Sequence, residues 1–195
     1  EGFVATGGEG LSLLESSFNA IEGADIAQAY LVGDPEDFIP GSIVEDDKET
    51  VGKVALPGTP YAKNIIGAVS VSSHLVMGTE TASTTRVALL GRVPVRVSLL
   101  NGAIVKGDRI TSSNIAGVGM RASRPGYIVG SALSSFDPRN GVGSCDGMDA
   151  NLASSTLAMA TSTEALSACQ GSVIVNIDPG FDMGIGDIVQ DIGEQ

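Results

Sequence analysis

Few side chains in this sequence could do chemistry. His74 is the sole histidine, so it alone could act as an imidazole base for a nucleophile such as Ser72, Ser73 or a distant serine. The run Val71-Ser72-Ser73-His74-Leu75 reads instead as strand, turn and strand with the histidine on the turn, and no G-x-S-x-G elbow accompanies it. Cys145 and Cys169 are the only cysteines. A structural zinc site wants close C-x-x-C spacing and further Cys or His ligands, which one histidine cannot supply. A disulfide between Cys145 and Cys169 is the expected state, with two reduced buried thiols as the alternative. Such a bridge would place the protein in an oxidising compartment.

Carboxylates cluster at Asp46-Asp47, at Asp146 with Asp149, and from Asp178 to Asp191. None fits the EF-hand loop pattern, which leaves a shallow extracellular calcium site at Asp146 and Asp149 as a minor alternative to solvated loops. Gly7-Gly8-Glu9-Gly10 is glycine-rich but lacks the Lys-Ser/Thr that a phosphate loop requires. Three tyrosines and no tryptophan leave few stacking platforms for a glycan. No cofactor, metal or catalytic residue is expected.

The elements that must carry these residues are drawn from 195 amino acids, 43% hydrophobic and 17% charged, with 26 glycines. A chain of this size can bury about 70% of its unfolded surface in one core. The formal net charge of -12 opposes approach to phosphate backbones, so nucleic acid is not an expected partner. No apolar run approaches the ~20 residues of a membrane-spanning helix. The chain starts at Glu1 without a basic and apolar leader, which reads as a processed product or a cut fragment. Charge is distributed in blocks: -10 over residues 1–83, +6 over 84–136 and -8 over 137–195. Such blocks can neutralise one another inside one sheet system or pair between copies.

Leu11, Leu14, Phe18 and Ile21 recur at helical spacing and mark 1–23 as a short helix or arm. From there the pattern becomes short β-type runs at 26–32, 42–44, 53–56, 65–71, 75–77, 86–90, 93–99, 109–111, 119–122 and 127–132. Spacing near ten residues, with Gly, Pro, Asp and Asn between, predicts an all-β fold: a compact barrel or sandwich over 24–136. Residues 137–170 are rich in Ala, Ser and Thr and read as a partly helical insertion closed by the cysteines. The strand-like Ser172-Val173-Ile174-Val175-Asn176-Ile177 returns to the core over 171–181 and is expected to stop at Pro179-Gly180. An acidic tail, 182–195, follows, with Ile185, Ile188, Val189 and Ile192 as apolar points.

In Arg92-Val-Pro-Val-Arg-Val97, alternation puts Val93, Val95 and Val97 on one face and Arg92, Pro94 and Arg96 on the other. Pro94, lacking an N–H, favours a sheet edge, and that edge is a candidate docking site.

Several motifs occur in order over about 150 residues: Gly23-Ala-Asp-Ile-Ala27, Pro40-Gly41, Ile66-Gly-Ala-Val-Ser70, Leu89-Leu-Gly-Arg-Val-Pro-Val-Arg-Val97, Gly107-Asp-Arg-Ile-Thr-Ser-Ser113, Gly117-Val-Gly-Met-Arg-Ala122, Gly126-Tyr-Ile-Val-Gly130, Ala132-Leu133 and the strand from Gly171 to Pro179. Together they resemble the peptidase G2-like intramolecular-chaperone and self-cleavage domains of phage tail spikes and neck appendages, also found in large surface proteins of uncultivated bacteria. The resemblance implies a compact β domain that helps assemble fibrous oligomers, commonly trimers. The cysteine-bearing insertion is longer than that family's hairpin, and no segment matches a cleavage junction or the coiled coil that follows it, so no catalytic residue carries over.

The expected function is a non-enzymatic structural subunit of an extracellular fibre, appendage or cell-surface assembly. Its partners would be copies of itself, in an extracellular location or at a cell or virion surface. Contacts would use Leu11, Leu14, Phe18, Ile185, Ile188 and Val189 at the two ends against edges such as that of Arg92, Pro94 and Arg96. The alternative is a self-cleaving chaperone domain that assists trimeric fibre assembly.

Overall fold

The computed structural model describes residues 25–146 and 169–184. The arm at 1–23 with Leu11, Leu14 and Phe18, residues 147–168 of the insertion, and Ile185, Ile188 and Val189 of the tail lie outside the described residues.

The fold is all-β, as the spacing of turn residues predicts. In chain order the strands are β1 (Asp25–Leu31), β2 (Ile43–Asp46), β3 (Val54–Ala55), β4 (Ile65–Val69), β5 (Leu75–Met77), β6 (Thr84–Ser98), β7 (Arg109–Ser112), β8 (Gly119–Arg121), β9 (Gly126–Ala132) and β10 (Gln170–Asp182). Two 3-10 turns, Pro35–Asp37 and Pro138–Asn140, interrupt the connections. The sheet runs β10-β9-β7-β8-β6-β4-β2-β3, and an additional pairing of β10 with β6 closes its first five strands into a ring. All pairings around that ring are antiparallel except β6 with β8, which meet in parallel at Val97 and Gly119.

Alternation along β6 and β10 fills the ring. Val95 lies opposite Val173 and Val93 opposite Val175, and all four are buried together with Val97, Ile110, Val129 and Ile177. Each such residue contributes roughly 1.5–3 kcal/mol on leaving water. Leu99, Ile104 and Phe136 close the same cluster, which also takes in both cysteines. A second, smaller cluster of Val32, Val44, Val54, Val69 and Val87 packs under β1 to β4 and the first half of β6, with Tyr30, Phe38 and Leu56 at its margin.

Three sequence expectations change. The runs expected at 86–90 and 93–99 are one continuous strand, because Gly91 takes φ +113 and lets the chain bend without leaving the sheet. At that bend β6 exchanges partners: Asp25 of β1 lies opposite Gly91, and so does Ile177 of β10. Secondly, Pro179-Gly180 does not end the returning strand. The register between β10 and β9 shifts between Ile177 and Gly180 and pairing resumes to Asp182 opposite Gly126, so the proline sits in a bulge where no ladder N–H is needed.

Thirdly, Pro94 is not on an edge strand, since β6 is central. Its pairing partner Ile174 donates its N–H to Ser134 Oγ at 2.9 Å and accepts from the Leu133 N–H at 2.7 Å. The bonding groups of Ile174 thus point away from β6, and β10 makes no demand on the missing N–H. The physical rule that confines proline to unpaired positions holds, but the position is local rather than a whole edge.

Candidate functional site

Pro94 opens one wall of a groove. Gly41 adopts φ +81, donates its N–H to Val69 O at 2.9 Å and accepts from the Arg96 N–H at 2.9 Å. It therefore ties the end of β4 to the second half of β6. A Cβ on Gly41 would stand 2.9 Å from Pro94 O, so only glycine fits this approach. Ile39 and Pro40 before it, Val71 after β4, and Pro94 on β6 border an open groove of about 340 Å³. Ile39 is 42% exposed and Val71 65%. The charged side chains lining it are Arg96 and Asp146. Arg96 reaches Gln170 Oε1 at 2.9 Å, and Arg92 lies two residues before Pro94 on β6, exposed, on the face that Pro94 and Arg96 share.

The wall at Val71 is braced from outside by Arg86, which donates to Val71 O at 3.4 Å and also pairs with Glu80. The hydrogen bond from Arg86 holds the Glu80 carboxyl below its ordinary range. Because the folded-state pKa is depressed, the stabilisation is complete above the ordinary carboxylate range and is lost as pH falls through the folded value. The pair is largely exposed, so Glu80→Gln should cost under about 0.5 kcal/mol, measured as the urea midpoint at neutral pH, and nothing once the carboxyl is protonated in acid. A larger loss would mean that Glu80 shapes the wall itself.

Two aromatic contacts lie elsewhere on the domain. Tyr61, at φ +58, accepts the Ser123 N–H on its hydroxyl at 2.8 Å and carries Arg124 4.1 Å above its ring. Tyr127 and Phe181 meet edge to face at 5.2 Å. Phe181, 58% exposed, lies where β10 pairs with β9 alone, and Met183, 62% exposed, follows the end of that strand.

The residues weighed for catalysis are placed as follows. Ser73 donates its hydroxyl proton to Asp25 Oδ2 at 2.8 Å, and the backbone N–H of His74 is bound to Asp25 O at 3.1 Å. Asp25 is 2% exposed, and its Oδ1 has no hydrogen-bond partner among the described residues. The serine hydroxyl thus bonds one oxygen of the buried Asp25 side chain. Cys145 and Cys169 form the disulfide, with Cα atoms 4.9 Å apart. Asp146 lines the groove, while Asp149 lies outside the described residues. Among the described residues no three His, Cys, Asp or Glu side chains are placed to hold a metal, and no helix is long and apolar enough to cross a membrane.

Of the seven cations in the basic block only Arg86 and Arg109 come within ion-pair distance of a carboxylate among the described residues, at Glu80 and Asp182. Arg121 donates to Asn101 O, Arg124 stacks on Tyr61, and Arg92 and Lys106 are exposed. Sequence reasoning singled out Arg92, Pro94 and Arg96, but missed Ile39, Val71, Phe181 and Met183. Their only local signal is an apolar side chain beside turn residues: Ile39 before Pro40-Gly41 and Val71 before Ser72-Ser73.

The fold and groove thus define an all-β barrel domain with a largely apolar groove that carries Arg96 and Asp146. No protein-family model matches the chain, and no curated protein matches it. Among solved structures, it is similar to pre-mature bacteriophage phi29 gene product 12, with a TM-score of 0.48 and 15% identity, over 80% of this chain and 21% of that one. It is similar also to the C-terminal fragment of bacteriophage phi29 gene product 12, with a TM-score of 0.46 and 14% identity, over 79% of this chain and 100% of the fragment.

Proposed function

We propose that this protein is a non-enzymatic structural subunit of an extracellular or virion-surface assembly, and that it acts by associating with copies of itself. The observation that carries the reading is the basic block: five of the seven cations over residues 84–136 have no carboxylate within ion-pair distance among the described residues, in a chain of net charge -12. Acidic blocks lie on either side in sequence, so each copy brings both signs to a neighbour, and complementary faces give association its register. The apolar groove beside Arg96 and the exposed Phe181 and Met183 supply surface that gains from being covered. The disulfide suits an oxidising location.

Sedimentation velocity of the purified chain from micromolar to millimolar concentration tests this. The expected result is a concentration-dependent rise in mass that weakens when ionic strength goes from ~0.1 M to ~1 M, shortening the screening length from about 10 Å to about 3 Å. A monomer at every concentration and salt level would overturn it.

A further inference from the structure

We propose that the groove bounded by Ile39, Pro40, Val71, Pro94 and Arg96 receives the acidic segment 185–195 of a second copy of this chain. This rests on the self-association reading and names its contact.

Charge and pattern both suit that segment. Its carboxylates are Asp187, Asp191 and Glu194, and it has no basic residue. The groove is lined by Arg96, with Arg92 beside it on the same exposed face, against the single carboxylate of Asp146. The apolar residues Ile185, Ile188, Val189 and Ile192 stand at i, i+3, i+4 and i+7, the spacing by which a short segment presents anchors to an apolar groove. A volume of about 340 Å³, near the lower limit of small-ligand sites, suits a few aliphatic side chains and not a whole domain. Main-chain restraints hold the groove open in advance: Gly41 is fixed on both sides by hydrogen bonds to β4 and β6. Arg96 is likewise held by Gln170, whose carbonyl takes the Asp146 N–H at 2.7 Å. The groove side therefore needs little rearrangement on binding.

A complementation experiment separates this from the broader reading. One variant, Val71→Asp, keeps the segment but puts a carboxylate into the groove; the other, a chain ending at Gly184, keeps the groove but lacks the segment. Each alone should lose association at least tenfold by sedimentation, with an unchanged thermal midpoint by circular dichroism. Mixed together they should form a one-to-one complex, since one supplies the segment and the other the groove. Should Val71→Asp misfold, Ile39→Asp replaces it, because Ile39 is also exposed. If the parent chain associates and both variants do so equally, or if the mixture forms no complex, the groove assignment is overturned while self-association stands. If the parent chain never associates, the failure belongs to the broader reading.

Discussion

Replacing Gly67 or Gly130 by alanine is expected to destabilise the protein by at least about 3 kcal/mol, the upper range for forcing atoms into a packed interior. A Cβ added at Gly67 would overlap the backbone oxygen of Ala88, and one added at Gly130 the backbone oxygen of Asn176. Neither neighbour can swing aside, because each belongs to a paired strand: Gly67 lies opposite Val44 between β2 and β6, and Gly130 opposite both Ile110 and Ile177. Relief would require opening a sheet ladder and its hydrogen bonds. With a total stability of order 5–15 kcal/mol, either change should shift the urea midpoint strongly or prevent soluble expression. Gly180→Ala is the control on the same sheet. Nothing lies within 4 Å of its added Cβ, and a change within about 0.5 kcal/mol is expected. Parent-like midpoints for Gly67→Ala and Gly130→Ala would mean that these ladders do not form as described.

Removing the disulfide should cost a comparable amount. Cys145 and Cys169 close a loop of sequence separation 24, for which chain entropy gives roughly 3.5 kcal/mol. For a protein of this length that corresponds to a fall in thermal midpoint of about 7–14 °C. Both sulfurs lie in the ring's core cluster with Phe136 and Val173, so the double variant Cys145→Ala/Cys169→Ala should lose somewhat more than chemical reduction does. The bridge also sets the site. Asp146 follows Cys145 into the groove lining, and Gln170, next to Cys169, holds Arg96. Reduction should therefore weaken association as well as stability. Equal unfolding midpoints with and without reductant would show that the bridge carries no stability.

Part of this architecture is legible locally. The period-two alternation through Val93, Val95 and Val97, and again through Val173, Val175 and Ile177, names the buried face of β6 and β10 without reference to any neighbour. Turn chemistry is local too. Gly107 takes φ +100, and Asp108 accepts the Val105 N–H at 2.9 Å, as a Gly-Asp turn should. What alternation leaves open is which strand lies alongside. It hides the joining of two short runs through Gly91 into one strand, and it cannot show that Pro179 is absorbed by a bulge. Reading Pro94 as an edge signal fails for the same reason, since the partner that spares its missing N–H is Ile174, eighty residues away in sequence. Ile39 and Val71 become one apolar surface only because Gly41 is bonded to both Val69 and Arg96.

The sequence by itself determined the all-β class, the buried faces of the main strands, the cysteine pair and the alternating charge blocks, because each depends on residue type and short-range periodicity. The tertiary structure alone decided the closure of five strands into a ring through β6 and β10, the exchange of partners at Gly91, and the groove beside Pro94. Those depend on hydrogen bonds between segments far apart in the chain, and a backbone N–H or C=O carries no mark of the strand it will meet.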